Sequence, residues 1–423
     1  MVYTRRILDQ TLDDLMPGLA AIALEGAKGV GKTATALQRA STVYSLDDPF
    51  ERTTIEADLS LIEHAPAPVF IDEWQLYPPV WDRVRRAVDA DNSGGRFLLA
   101  GSADVAPGTR IHSGAGRIVS LVMRPLSFAE RGLAEPTVSL SALLEGREQR
   151  ISGETSLTLA DYTEEILRSG FPGIRDLPER LRVQQLDSYL TRIVDHELPE
   201  NGMLVRHPAA LRAWLAAYGA ATATDASYTA ILDAATPGEA EKPARQTIAS
   251  YREHLSRIFV LDPIEAWVPV LAPLRRLTKS SKHFLVDTAL AARLTGVDRD
   301  DLLHGKGPRI GAGADTWLGS LFESLAAQSV RVYADAAQAS VGHLRTKNTE
   351  HEIDLIVYRG MQRTVAIEVK LKGAADDRDV RHLNWLKDQL GDRITDRLVI
   401  TTGRFAYRRP DGVAVVPLAL LGP

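Results

Sequence analysis

The residues Gly26-Ala27-Lys28-Gly29-Val30-Gly31-Lys32-Thr33 carry the spacing G-x-x-x-x-G-K-[ST], a pattern suited to gripping phosphate. Glycines let a backbone wrap an anion, successive N–H groups point at it, and a helix that follows adds partial positive charge. Lys32 is placed to reach β- and γ-phosphates, and the Thr33 hydroxyl to bind Mg²⁺. Gly26 through Thr33, together with Ala34, are the expected ATP contacts. A chance glycine turn is the alternative, and a strand before the loop with a helix after it argues against chance. Pro68-Val69-Phe70-Ile71 runs apolar into Asp72-Glu73. Asp72 is expected in the Mg²⁺ shell, and Glu73 as general base toward an attacking water. Alone, two acids after a strand more often cap the next turn; beside the loop they gain a role. The apolar run Phe97–Ala100 ends in Gly101-Ser102, which makes Ser102 a candidate contact for the γ-phosphate or the water. Arg117, after Gly116, is the candidate arginine finger, acting within the chain or in a neighbouring subunit; an ordinary surface arginine explains it equally well.

A second group lies near the other end. Asp354 sits in Glu352-Ile353-Asp354-Leu355-Ile356, and Glu368-Val369-Lys370 follows after 13 intervening residues. On a strand, side chains two apart share a face, so Glu368 and Lys370 project together and Asp354 can meet them from a neighbouring strand. That is the PD-(D/E)-x-K arrangement, in which the acids hold Mg²⁺ or Mn²⁺ and the lysine orients or deprotonates water. Glu323, on a helix before these strands, is placed as a further ligand or as support behind the ligands. The expected chemistry is metal-dependent phosphodiester cleavage. The alternative is a module that keeps these residues and only binds.

Basic residues gather at Arg83, Arg85 and Arg86, and at Arg275, Arg276, Lys279 and Lys282. The second group could meet nucleic-acid phosphates and give salt-sensitive binding, or could be a solvated loop. Trp74, Trp81 and Trp385 read as packing residues.

The elements that must position these groups alternate over the first part of the chain. Leu19–Leu24, Pro68–Ile71 and Phe97–Ala100 are short apolar runs separated by helical patterns at Lys32–Ser41 and Val80–Val88. Such runs argue for a mostly parallel sheet covered on both faces. The stretch Ser139–Glu200 is mainly helical, broken at Gly170-Phe171-Pro172-Gly173. Three helices follow around Leu211–Tyr218, Tyr228–Ala235 and Arg245–Ile258. A β-like Phe259-Val260-Leu261 then leads to Ile264–Trp267, the order of a winged helix, although any three-helix cluster reads similarly. Last come a helix reaching Ser329 and strand candidates Arg331–Tyr333, Val341–Arg345, Glu352–Tyr358 and Thr364–Lys370. A helix carrying Val380, Leu383, Leu386 and Leu390 and a strand at Arg397–Thr401 complete the unit.

The whole chain has 423 residues, more than the ~250–300 at which single cores stop growing, so two or three domains are expected. It has no cysteine, which excludes thiolate zinc sites, iron–sulfur clusters and cysteine nucleophiles. With 50 Lys plus Arg against 55 Asp plus Glu, nothing draws the chain as a whole to phosphate backbones. No apolar run approaches the ~20 residues needed to span a bilayer, and Asp13 and Asp14 stand where a signal peptide would be basic. A cytoplasmic protein with no membrane partner is expected.

Gly26–Thr33, Ile71-Asp72-Glu73-Trp74-Gln75, Leu99-Ala100-Gly101-Ser102, Gly116-Arg117 and Arg124-Pro125-Leu126-Ser127-Phe128-Ala129-Glu130 resemble the AAA-type ATPases of the AAA_14/DUF4143 family. Asp262-Pro263, Lys282-His283-Phe284-Leu285-Val286-Asp287-Thr288 and the terminal Glu-x-Lys extend the resemblance over nearly the whole chain. It implies an α/β protein: a P-loop AAA-type ATPase domain (1–135), a helical connector (136–207), a winged-helix-like domain (208–285) and a C-terminal restriction-endonuclease-like domain (286–423). An AAA core also hints at a homo-oligomer. Two functions stay open. One is an ATP-hydrolysing protein acting on nucleic acid, DNA in preference, through a nuclease-like domain. The other is a nucleotide-gated regulatory, DNA-binding or protein-interaction module whose nuclease-like domain is inactive.

Overall fold

The structure, a computed structural model, describes residues 3–102, 114–237, 243–269, 277, 280–307, 316–346 and 350–423. Short apolar runs build its first sheet from β1 (Ala21–Glu25), β2 (Thr42–Ser45), β3 (Val69–Asp72), β4 (Phe97–Gly101) and β5 (Ile118–Val122). All pairs are parallel, in the order β2-β3-β4-β1-β5. Along β1, Ala21 and Ala23 enter one apolar cluster while Ile22 and Leu24 enter another. This is the period-two pattern of a strand buried on both faces. The helix Pro79–Ala90 covers the first face through Val80 and Val84, and the helix Ile7–Leu15 covers the second through Leu12. Register decides where chemistry can happen. Glu25 lies opposite Gly101, and Asp72 opposite Ala100, so β1, β3 and β4 end at one edge and release Gly26, Glu73 and Ser102 there.

The middle of the chain is helical, with helices Leu159–Arg168, Glu179–Arg192, Pro208–Ala220, Tyr228–Ala235 and Arg245–Arg257 and a π-helical turn at Ile193–Glu197. After the last of these, residues 259–267 do not form a continuous strand pair. Among the described residues they make isolated bridges, Leu261 to Leu285, Ile264 to Lys282 and Ala266 to His343.

The C-terminal sheet has seven strands in the order β7-β12-β13-β11-β10-β9-β8. They are β7 (Gly153–Glu154), β8 (Ser340–Arg345), β9 (Glu352–Arg359), β10 (Arg363–Lys370), β11 (Ile394–Thr401), β12 (Phe405–Arg408) and β13 (Ala414–Pro417). A further pair joins β6 (Val138–Ser139) to β14 (Leu421–Gly422). Residues 138–139 thus pair with β14, and residues 153–154 with β12. One apolar cluster runs from Ala27, Val30 and Met123 through the middle helices to Leu421. Arg331–Tyr333, expected as a strand, is instead helical. It continues Trp317–Ala336, because Val330, Tyr333 and Ala334 prolong the buried face begun by Leu318, Phe322 and Ala326. No helix among the described residues is long and apolar enough to cross a membrane.

Candidate functional site

The phosphate loop occupies the edge where the first sheet's strands end. Gly26 has φ +145°, and a Cβ there would run into the Met123 carbonyl; Gly31, at φ +104°, opens the helix Lys32–Leu37. Both positions need glycine. Arg6 pins the loop from outside: its Nη1 donates to Val30 O at 2.9 Å, and its Nε lies 3.0 Å from Glu130. Glu130 also accepts from the Ser127 and Ile7 amides at 2.7 Å each, so the Arg124–Glu130 stretch acts as a clamp on the loop's base.

Within the loop the buried Lys32 folds back, its Nζ donating to Gly26 O at 2.7 Å and Ala27 O at 3.1 Å. Burial lowers its pKa to about 8, against the pull of Glu73 and Asp72. An ammonium that must borrow backbone carbonyls is a cation in want of an anion. Thr33 Oγ1 donates to Asp72 Oδ2 at 2.8 Å, which brings together the hydroxyl and carboxylate suited to Mg²⁺. Burial raises the Asp72 pKa. Glu73 stands at φ +51°, in the left-handed region that disfavours a side chain, and accepts from Gln75 Nε2. Glycine, lysine, hydroxyl and acid fit a Mg²⁺–nucleotide.

Two cavities flank the loop. One, of about 270 Å³, is lined by Lys28, Gly29 and Ser102 from the first sheet's edge and by Phe171, Tyr189, Arg192 and Glu197 from the middle helices. Lys28 Nζ meets Glu197 Oε1 at 2.8 Å, and the Tyr189 hydroxyl donates to Lys28 O at 3.1 Å. Burial works against the Lys28 charge, but Glu197 outweighs it and raises the pKa. The other cavity, of about 370 Å³, is lined by Tyr3, Thr4, Gly31, Ala34, Pro172 and Arg175, among others.

Near the chain's end, Asp354, Glu368 and Lys370 do converge. Lys370 Nζ lies 2.9 Å from Glu368 Oε2 and 3.8 Å from Asp354 Oδ2. The β9–β10 ladder stops at the Leu355–Ile367 pair, and Asp354 Oδ2 then takes the Val369 N–H at 3.0 Å. A second lysine enters: Lys282 Nζ is 2.9 Å from Asp354 Oδ1 and 2.6 Å from Glu323 Oε1. Burial opposes the Asp354 charge, yet Lys282 and Lys370 hold its pKa well below the carboxylate range. Glu323 is pushed up to about 8 by burial and by Asp354, and Glu368 is raised for the same two reasons.

Protein-family profiles match an AAA domain at residues 20–132 and the domain of unknown function DUF4143 at 318–421, with another, DUF8612, at 159–301. The chain has the AAA_14/DUF4143 architecture. The uncharacterized proteins Rv2008c of Mycobacterium tuberculosis and Mb2031c of Mycobacterium bovis are each 26% identical over 337 residues, covering 77% of this chain and 67% of theirs. Among solved structures it is similar to "Structure of Drosophila ORC bound to DNA", at 16% identity over 61% of this chain and 86% of that one. The TM-score is 0.21, too low to carry any argument.

Within the AAA domain, Ser102 closes the cavity beside Lys28, whereas Arg117 is not brought to the loop. It precedes Ile118, which pairs with Ala21 at the far end of the sheet, and its Nε meets Asp89 at 2.8 Å. Arg83 pairs with Glu63, and Arg85 with Asp89. Arg275, Arg276 and Lys279 lie outside the described residues. Lys282, expected to face solvent or phosphate, is instead 3% exposed at its side chain and faces carboxylates. Arg6, Glu197 and Arg192 were not singled out by spacing. Arg6 and Glu197 meet the loop through tertiary contact and Arg192 lines the cavity beside it; of the three, Arg192 and Glu197 adjoin the π-helical turn, an unusual local feature.

Proposed function

We propose that the chain is an ATP-hydrolysing switch whose nucleotide state governs how its middle and C-terminal parts hold nucleic acid, DNA in preference. An ATPase-type function follows from the AAA domain. The observation that carries the rest is the convergence of Lys32, Thr33 and Asp72 in a glycine-shaped loop, where the Lys32 ammonium donates to the Gly26 and Ala27 carbonyls. Triphosphate binding would give Lys32 its anion, Thr33 and Asp72 would hold Mg²⁺, and Glu73, steadied by Gln75, would take the proton of the attacking water. Mg²⁺ supplies charge neutralisation along the phosphates. The cavity containing Tyr3 and Ala34 would take the nucleoside. The Lys28–Glu197 contact supports gating, because it ties the phosphate side of the loop to the middle helices. An arginine-finger role for Arg117 requires a second copy of the chain, since its own loop is at the opposite end of the sheet. The basic residues 275, 276 and 279 support the nucleic-acid part.

A second reading, metal-dependent phosphodiester cleavage, is favoured by the meeting of Asp354, Glu368 and Lys370; it requires Lys282 to leave the pocket. ATP hydrolysis measured with and without single- and double-stranded DNA and RNA tests the first reading. Stimulation by DNA, absent in Lys32→Ala, is expected. Hydrolysis indifferent to every nucleic acid would contradict that partner and leave a protein-directed switch.

A further inference from the structure

The acids of the C-terminal pocket meet around an ammonium. Lys282 Nζ lies 2.6 Å from Glu323, 2.9 Å from Asp354 and 3.7 Å from Glu352. The place between Glu323 and Asp354 that a shared ion needs is therefore taken. The other Asp354 oxygen is already engaged by the Val369 amide, with Lys370 at 3.8 Å. Mg²⁺ asks for near-octahedral oxygen contacts at ~2.1 Å and keeps several waters. With Lys282 on one Asp354 oxygen and the Val369 amide and Lys370 on the other, both oxygens are engaged. Among the described residues, no group of three or more acidic or histidine side chains is arranged to hold a metal.

Lys282 is also fixed by its backbone. Its N–H donates to Ile264 O at 2.8 Å, and its carbonyl accepts from the Ile264 amide at 2.9 Å. The next residue, His283, packs edge-on between the rings of Tyr218 and Tyr228. The lysine is thus not a surface side chain that has wandered in; the segment that carries it is bridged on one side and packed on the other. Its ammonium is held between two carboxylates at hydrogen-bond distance.

We infer that Lys282 is the resident cation of this pocket, and that the pocket is a buried ionic joint between residues 280–286 and the C-terminal sheet rather than a divalent-metal centre. The inference does not depend on ATP hydrolysis. It corrects the metal-ligand roles expected for Glu323, Asp354 and Glu368, and leaves Lys370 as a second counter-charge. Removing the lysine's charge would leave buried carboxylates unpaired, which is costly and is the condition under which acids recruit a divalent ion.

The test is a Mn²⁺ titration, without nucleotide, of the full chain carrying Lys32→Ala, with free Mn²⁺ read by electron paramagnetic resonance. No Mn²⁺ site that disappears on adding Asp354→Asn is expected. Adding Lys282→Gln is expected to tighten Mn²⁺ binding about tenfold or more, an increment that Asp354→Asn then removes. An Asp354-dependent Mn²⁺ site in the chain that retains Lys282 would overturn the inference. So would a folded Lys282→Gln variant that gains no site. Should Lys282→Gln fail to fold, the titration of the Lys282-containing chain still decides.

Discussion

Lys28 Nζ and Glu197 Oε1 stand 2.8 Å apart, joining the phosphate loop to the end of the π-helical turn. The lysine side chain is 55% exposed, so the contact adds little to stability, about 1 kcal/mol at most. Its expected consequence lies in nucleotide binding: a Lys28 that contacts a γ-phosphate from the cavity it shares with Ser102 must first leave Glu197. Glu197→Gln is therefore expected to raise ATP affinity roughly two- to fivefold, the equivalent of a contact worth under about 1 kcal/mol. ADP affinity should stay unchanged. Calorimetric titration of both nucleotides measures this, and equal shifts for ATP and ADP would show that Lys28 does not read the γ-phosphate.

The AAA domain is tied to the later parts by a compact ion network. Arg124 Nε meets Asp262 Oδ2 at 3.0 Å and its Nη1 meets Asp335 Oδ2 at 2.6 Å, while Arg331 Nη2 meets Asp262 Oδ1 at 2.7 Å. Burial alone would raise the Asp262 pKa, but Arg124 and Arg331 outweigh it and hold it low. Asp262→Asn leaves two guanidinium groups around a neutral amide. A loss of about 3 kcal/mol is expected, the low end for breaking a buried pair. Urea unfolding should show a lower midpoint with unchanged slope; an unmoved midpoint would mean the network is not structural.

Buried His343 donates from Nε2 to Ser280 O at 2.8 Å. Burial, with Lys282 nearby, takes its pKa down to about 4, below the ~6.5 of an unfolded chain. The neutral ring's contribution is full above pH 6.5 and drains away as pH falls from there toward 4, by at most about 3 kcal/mol. His382, also held at about 4, and His283, also lowered, titrate in the same direction. Unfolding free energies at pH 7.5 and 5 should therefore differ less in His343→Gln than in the parent. An identical difference would place the titration elsewhere.

How much of this was legible in the sequence depends on how local the physics is. The loop Gly26–Thr33 could be read because its glycines, lysine and hydroxyl act within one turn of chain. β1, β3 and β4 could be read because burial on both faces makes them continuous apolar runs. β2 escaped notice because no residue of Thr42–Ser45 is fully buried, and β5 because Val119 and Ser120 are exposed. Arg331–Tyr333 misled because valine and tyrosine favour strands, while packing of one helix face overrode that preference. Lys282 was the largest miss. In sequence it ends a basic run, and only the fold brings Glu323 and Asp354 to it. Glu197 escaped for the same reason.

The Gly26–Thr33 loop is expected to bind and split a nucleoside triphosphate with Glu73 as base. Single-turnover hydrolysis of Mg²⁺-ATP by the full chain, alongside equilibrium binding, tests it most directly. Glu73→Gln is expected to bind ATP as the parent does while hydrolysing it about 10²-fold or more slowly, and Lys32→Ala is expected not to bind. Undiminished hydrolysis in Glu73→Gln, or ATP held as tightly by Lys32→Ala as by the parent, would contradict it.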